Sequence, residues 1–140
     1  MPTATRINHV AIAVTDLDGS LEFWRDGMGL HVQHVEEVAE QRAVVAFLPV
    51  GESEVELVRP TTEDSGLAKF LQKRGPGIHH LCFEVDDLTG FVAHLQGLGV
   101  RMINPEPAVG AGGARIAFIH PESTQGVLVE LYQSRAAPAG

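Results

Sequence analysis

The sequence has one cysteine, Cys82, among its 140 residues. An internal disulfide is therefore excluded, and the absence of disulfides is typical of proteins from a reducing compartment. Because no apolar run approaches the roughly 20 residues that cross a bilayer, we expect no membrane-spanning segment. The N-terminus does not show a charged stretch followed by an apolar signal region, so the sequence predicts a cytoplasmic protein.

Basic residues are also few: Lys and Arg number 10 against 18 Asp and Glu, for a formal net charge of −8. Nucleic acid is therefore excluded as an expected partner, because phosphate binding needs clustered positive charge. The best candidate for a basic patch is Lys69, Lys73 and Arg74, with Arg115 elsewhere in the chain. A solvated helix face would explain the first three residues equally well.

The chain contains an internal repeat. Residues 7–19 align without a gap with residues 78–90, and Val55-Glu56-Leu57 recurs as Val129-Glu130-Leu131. The offsets of 71 and 74 are close together, and the matched segments keep their order, as expected for a duplicated module with small loop changes. Each copy therefore has one histidine near its start and one glutamate near its end.

The hydrophobic pattern gives each copy the order β-α-β-β-β. In the first copy, strands are predicted over 7–14, 30–36, 43–48 and 54–59, and a helix of about three turns over 17–28 begins at an Asp16 cap. A short helix links the copies, and the second copy repeats the order. We predict one domain over 1–140, with module one at 6–60, the linking helix at 61–75, module two at 77–133 and a frayed tail at 134–140.

The repeated residues predict a metal site. Glu130 lies in the apolar run Val127 to Tyr132, where a carboxylate would lose its hydration at a cost of several kcal/mol unless a cation or several donors compensated it. If the two modules pack about a pseudo-twofold axis around a cleft, four side chains converge there: His9, Glu56, His80 and Glu130. Two nitrogen and two oxygen ligands suit a divalent metal and leave positions open for substrate. The fold class is therefore predicted as α+β, with two βαβββ modules forming a curved mixed sheet around a metal cleft.

Several segments resemble the vicinal oxygen chelate superfamily, which has the glyoxalase fold, and within it the methylmalonyl-CoA epimerases. The similar segments are Asn8 to Val14, Glu63 to Leu71, Gly77 to Leu81, Gly110 to Pro121 and Gly126 to Leu131. The Ile-His-His segment and the Gly-Gly-x-Arg-Ile-x-Phe-x-His-Pro segment are fairly specific, and they are not typical of glyoxalase I. The resemblance covers nearly the whole chain.

The resemblance implies an isomerase that racemises the carbon between the thioester and the carboxylate of methylmalonyl-CoA through a metal-stabilised enolate. It carries the metal-ligand role to His9, Glu56, His80 and Glu130, with Co, Zn, Mn, Ni or Mg as the candidate ion. An acyl-CoA substrate and a homodimer are expected, because paired modules leave sheet edges that a second subunit can cover.

The chain departs from the epimerase pattern at two positions. Many epimerases have Gln where this chain has Glu56, and some have a proposed acid/base Glu at the position of Val45. Glu130 is the first candidate for one proton-transfer group, because a ligand carboxylate can present its second oxygen to the substrate. Glu40, Gln41 with a water, and His120 are the candidates for the other group.

Substrate contacts are expected from a glycine-rich loop and from basic residues. Gly112 and Gly113 lie in the loop 110–113, which either brings backbone amides to the acyl portion or forms an ordinary hairpin connection. Arg115, Lys69 and Lys73 are the candidates for contacts with the CoA phosphates.

Other functions of this fold are alternatives. A glyoxalase I-type lactoylglutathione lyase would use the same four ligands, and another metal-dependent enzyme of the superfamily is a further alternative. A ring-cleaving dioxygenase would use two His and one Glu around Fe, and a fourth ligand at Glu56 argues against it. A non-catalytic drug-binding resistance protein normally lacks the ligand set.

Overall fold

The computed structural model describes residues 2–134, and the elements below are those of this segment. The strands are β1 (Ala4–Ala13), β2 (His34–Val38), β3 (Ala43–Val50), β4 (Ser53–Pro60), β5 (Gly77–Val85), β6 (Ala108–Val109), β7 (Arg115–Ile119) and β8 (Val129–Gln133). The α-helices are α1 (Leu17–Leu21), α2 (Gly66–Arg74) and α3 (Leu88–Gly97). In the described part of the chain, no helix is long and apolar enough to span a membrane.

The chain divides into two compact units. The first unit is His9–His79, and the second combines Met1–Asn8 with His80–Gly140. The first unit contains α1, α2, β2, β3, β4 and the second half of β1. The second unit contains α3, β6, β7 and β8 with the first half of β1 and most of β5. The order βαβββ therefore occurs twice, and the prediction of an α+β protein built from two such modules is confirmed.

In the first unit the strands lie in the order β2-β3-β4-β1. β1 is parallel to β4, while β3 is antiparallel to both β2 and β4. One face of these strands packs with α1 into a core whose buried members are Val14, Leu21, Ala46, Leu48 and Leu57. Burial of each large apolar side chain in such a core contributes about 1.5–3 kcal/mol. The opposite face is therefore left for the polar residues of β1 and β4.

The second unit repeats this arrangement with the strand order β5-β8-β7-β6. β5 is parallel to β8, and β7 is antiparallel to β8 and β6. The core against α3 comprises Val85, Leu88, Val92, Ala117, Ile119 and Leu131. At the start of β1, Arg6 Nε lies 2.6 Å from Glu84 Oε2 of β5, so this end of β1 is held by a charged pair.

The helices that follow β1 and β5 begin with the same cap. Asp16 Oδ1 accepts a hydrogen bond from the Gly19 amide at 3.0 Å, and Asp87 Oδ1 accepts one from the Gly90 amide at 3.1 Å. A Cβ at Gly19 would lie 2.5 Å from the capping carboxylate, and a Cβ at Gly90 would lie 2.4 Å from its counterpart. The repeated Asp-x-x-Gly pattern therefore leaves room for the carboxylate at the helix N-terminus.

Two predicted elements differ from the structure. The predicted helix over 17–28 is α-helical only to Leu21 and continues as a π-helical segment over Glu22–Gly27. The Met28 amide accordingly donates to the Phe23 carbonyl, five residues earlier, at 2.8 Å. β2 begins at His34 and not at the predicted Leu30. The linking segment contains α2, capped by Ser65, and residues 135–140 of the predicted tail lie outside the described residues.

Candidate metal and active site

A buried histidine–glutamate pair lies in the first unit. His9 on β1 and Glu56 on β4 are 4% and 8% exposed, and His9 Nδ1 lies 2.9 Å from Glu56 Oε2. The parallel register sets Ala11 opposite Glu56, so the histidine lies two residues before that position and on the same face. Small Ala11 and Ala13 side chains leave this face of β1 open for the imidazole and the carboxylate.

The second unit contains an equivalent pair. His80 on β5 and Glu130 on β8 are 7% and 5% exposed, and His80 Nε2 lies 2.9 Å from Glu130 Oε1. Here Cys82 is opposite Glu130 in the parallel register, and the histidine again lies two residues before it. The repeat seen in the sequence therefore produces the same pairing of strands, the same register and the same contact in both units.

The two pairs differ in their surroundings at one position. Cys82 stands where the first unit has Ala11, and it is fully buried. Its sulfur and a Glu130 carboxylate oxygen lie within 4.8 Å of each other. Glu130 therefore lies next to a polarisable thiol.

A phenylalanine lies across from each glutamate. Phe47 on β3 is opposite Glu56, and Phe118 on β7 is opposite Glu130. The ring of His80 meets the ring of Phe118 edge to face, with centroids 5.5 Å apart. The aromatic ring limits the positions open to the imidazole, so Phe118 helps to hold the His80–Glu130 pair in place.

The chemistry of both pairs fits a divalent metal ion. A carboxylate buried to this extent loses hydration that a single imidazole only partly replaces. Imidazole nitrogen and carboxylate oxygen are suitable ligands for Zn, Co, Ni, Mn and Fe in the divalent state. Each unit therefore offers one nitrogen and one oxygen ligand on the face opposite its apolar core.

The two other predicted acid/base residues lie outside these pairs. Glu40 is exposed in the short 3₁₀ turn Ala39–Gln41 that follows β2. His120 follows β7 and caps the 3₁₀ turn Pro121–Thr124, where its Nδ1 accepts the Glu122 amide at 3.1 Å. That bond leaves Nε2 as the protonated nitrogen of a neutral His120 ring. Neither residue is a member of the two His–Glu pairs, and their catalytic roles stay predictions.

The predicted substrate residues lie on three elements. Gly112 and Gly113 form the turn between β6 and β7 with φ of +67° and +79°, which strains any other residue. Arg115 begins β7, and its Nη2 donates to Thr89 Oγ1 on α3 at 3.0 Å. Arg115 alternates with Ala117 and Ile119, so it is on the α3 side of β7, away from Phe118 and Glu130. Lys69 and Lys73 are exposed on α2.

Sequence reasoning missed a second polar group in the first unit. Glu36 and His34 of β2 lie on the same face as Phe47 and Glu56, because His34 is opposite Phe47 and Phe47 is opposite Glu56. His34 lies on the edge strand β2, and its side chain is half exposed. The antiparallel register of β2 with β3 brings His34 and Glu36 to this face, and the sequence alone does not determine that register.

Comparison with known proteins places the chain in a family. Residues 8–118 match the family model of the Glyoxalase/Bleomycin resistance protein/Dioxygenase superfamily. The chain is 40% identical over 130 residues to the mitochondrial methylmalonyl-CoA epimerase of Mus musculus, covering 92% of this chain and 73% of that protein. It is 30% identical over 135 residues to a probable lactoylglutathione lyase of Vibrio cholerae, covering 96% of this chain and 95% of that protein.

A solved structure gives the same result. The structure of a methylmalonyl-CoA epimerase in complex with methylmalonyl-CoA and NH4+ has a TM-score of 0.92 with 40% sequence identity, covering 99% of this chain and all of that one. The chain therefore belongs to the Glyoxalase/Bleomycin resistance protein/Dioxygenase superfamily, and within it to the family of the methylmalonyl-CoA epimerases.

Proposed function

We propose that the protein is an epimerase that interconverts the two epimers of methylmalonyl-CoA. The observation that carries the proposal is the pair of buried His–Glu contacts at equivalent positions of the two units, in a chain that belongs to the methylmalonyl-CoA epimerase family. Burying an imidazole and a carboxylate in this way costs free energy, and a bound cation would offset that cost. The reaction removes a weakly acidic proton from the carbon between a thioester and a carboxylate and returns a proton to the opposite side.

We further propose that the cofactor is one divalent metal ion and that its ligands are His9, Glu56, His80 and Glu130. Support comes from the donor types, their burial and their repetition. When bound, such an ion would stabilise the negative charge that develops on the substrate as the enolate forms. The extra negative charge of Glu56, compared with a glutamine, would lower the strength of the ion as a Lewis acid.

Glu130 is proposed as one proton-transfer group. Its Oε1 lies 2.9 Å from His80 Nε2, and a carboxylate that binds a metal can present its second oxygen to the substrate. Glu40 and His120, which the sequence suggests for the second group, lie on short turns outside the two pairs.

Substrate binding is proposed at the glycine turn and the basic residues. The exposed Gly112 and Gly113 let the backbone approach the acyl portion closely. Lys69 and Lys73 supply positive charge for the CoA phosphates in a chain of net charge −8. For Arg115 this role requires that the guanidinium exchange its hydrogen bond with Thr89 for a phosphate, because the side chain is on the α3 side of β7.

A lactoylglutathione lyase is the second candidate function. It is favoured by the 30% identity to the probable lactoylglutathione lyase of Vibrio cholerae and by a ligand set that would serve both reactions. The higher identity to the epimerase of Mus musculus favours the epimerase.

We also propose that the protein acts in the cytoplasm as a homodimer, in which a second subunit covers exposed strand edges.

Deuterium incorporation tests the function. Metal-loaded protein is incubated in D2O with a single epimer of methylmalonyl-CoA, and the α-position is followed by NMR. Deuterium uptake with formation of the other epimer is expected. Lack of any α-exchange, together with turnover of methylglyoxal plus glutathione, would reject the epimerase in favour of the lyase.

A further inference from the structure

We infer that Glu36 is the proton-transfer group of the first unit, and that His34 positions it. This inference rests on the proposed epimerase function and completes it, because inversion at carbon needs a second group besides Glu130. Val45, which aligns with a proposed acid/base Glu of some epimerases, cannot carry a proton. The structure sets a carboxylate directly beside it.

The strand register brings Glu36 to this position. Glu36 on β2 is opposite Val45 on β3, and Phe47, two residues further along β3, is opposite Glu56. Glu36, Val45 and Phe47 therefore share the face that carries the first His–Glu pair, away from the Ala46 and Leu48 side that packs against α1. Directly opposed residues in an antiparallel pair have Cβ atoms about 4.5–5.5 Å apart. The carboxylate of Glu36 can thus reach over the short Val45 side chain.

The other carboxylates of β2 and β4 are less suited to the role. Glu37 is opposite Val44 and lies on the α1 side of the strands. Glu54 shares the face of Glu56, but it is opposite Pro49, at the other end of this face from Val45. Within β2, β3 and β4, Glu36 is therefore the carboxylate that lies next to Val45.

His34 holds Glu36 in place and connects it to solvent. The His34 ring stacks on Phe47, with centroids 4.3 Å apart and planes 15° apart, and its Nε2 lies 3.5 Å from Glu36 Oε1. The side chains of His34 and Glu36 are 50% and 36% exposed. A partly exposed imidazole beside the carboxylate can exchange protons with water and so reset the protonation state of Glu36 after each turnover.

The proton balance of the proposed reaction closes without a further reactant. From one epimer, the Glu36 carboxylate takes the α-proton while the electrons of the broken C–H bond delocalise into the thioester as the enolate. Protonated Glu130 then donates its proton to the same carbon from the other side, which forms the new C–H bond. Starting from the other epimer, the two residues exchange roles. No oxidant or reductant is needed.

The test compares α-exchange with epimerisation in the metal-loaded Glu36→Gln variant. Each purified epimer of methylmalonyl-CoA is incubated in D2O with wild type, with Glu36→Gln and with the control Glu37→Gln. Epimerisation by Glu36→Gln is expected to fall at least about 100-fold, the range typical of a lost acid/base group. One epimer should still exchange its α-proton without inversion, and the other should not exchange. Glu37→Gln should resemble wild type.

Further variants keep the test decisive. Glu36→Gln with Val45→Glu returns a carboxylate to the neighbouring position and should recover epimerisation at least tenfold over Glu36→Gln. His34→Phe keeps a ring on Phe47 but removes Nε2, so kcat should fall with KM unchanged. Thermal unfolding verifies the fold of each variant, and Glu36→Asp replaces Glu36→Gln if the latter does not fold.

The inference would be overturned if Glu36→Gln epimerised at the wild-type rate, or if it lost α-exchange equally for both epimers. Either result would leave the epimerase function standing. A folded double variant without recovery would also overturn it. Absence of exchange with the wild-type protein would instead overturn the proposed function, and the inference with it.

Discussion

The buried pair of His9 and Glu56 leads to a stability prediction for the metal-free protein. Glu56 is 8% exposed in the wild-type protein, and replacing His9 with alanine removes its 2.9 Å imidazole contact. Removing one member of a buried charged pair costs about 3–5 kcal/mol. For a chain of this length, that cost corresponds to a decrease in Tm of roughly 10–20 °C. The exposed His31 provides the control, and His31→Ala should change stability by less than about 0.5 kcal/mol.

A double-mutant cycle isolates the carboxylate as the cause. Glu56→Gln alone should change stability by about 1 kcal/mol or less, because an amide keeps a hydrogen bond to His9 and carries no charge to desolvate. In the His9→Ala background, the same change should recover at least about 1.5 kcal/mol, since the unpaired buried charge is gone. Urea unfolding in the presence of a chelator measures all four proteins, and the His80–Glu130 pair should give the same pattern.

The reasoning is refuted if His9→Ala unfolds at the same urea concentration as His31→Ala. It is also refuted if Glu56→Gln brings no recovery in the His9→Ala background. Either result would mean that Glu56 is not held as a buried charge by its histidine.

Two further predictions concern the ligand carboxylates and the helix caps. At saturating metal, Glu56→Gln is expected to keep most of the wild-type turnover. Glu130→Gln should lose about 10²- to 10⁴-fold in turnover, because it also loses a proton-transfer group. Equal losses of the two variants in steady-state assays would contradict the assigned roles. Gly90→Ala should destabilise the protein by about 1 kcal/mol, because its Cβ would displace the Asp87 cap. Gly97→Ala meets no atom within 4 Å and should be neutral or stabilising in the same thermal melts, so a similar loss in both variants would argue against the cap.

The repeat carried most of what could be predicted. It identified the two modules and the four candidate ligands, because a duplicated strand order with a matched His and Glu needs no knowledge of distant contacts. The structure adds that His9 contacts Glu56, and His80 contacts Glu130, through equivalent parallel registers. Parallel pairing over more than 40 residues depends on the whole fold, and a local pattern does not determine it.

The elements that were missed depend on register and on local winding. β2 begins four residues later than the pattern indicated, and a shift of one residue in an antiparallel pair moves every side chain to the other face. The position of Glu36 beside Val45 therefore could not be derived from the sequence. The π-helical segment after Leu21 was missed for a similar reason, because the apolar spacing of Leu17, Leu21 and Trp24 is the same for a continuous α-helix.

Metal stoichiometry tests the central claim most directly. Elemental analysis of dialysed, metal-loaded protein is expected to show one divalent ion per chain, with loss of the ion in each of four single alanine variants, at His9, Glu56, His80 and Glu130. An ion that is lost only in the variants of one unit, or two ions per chain, would contradict a site shared by both units. A wild-type protein that retains no ion would contradict the metal site altogether.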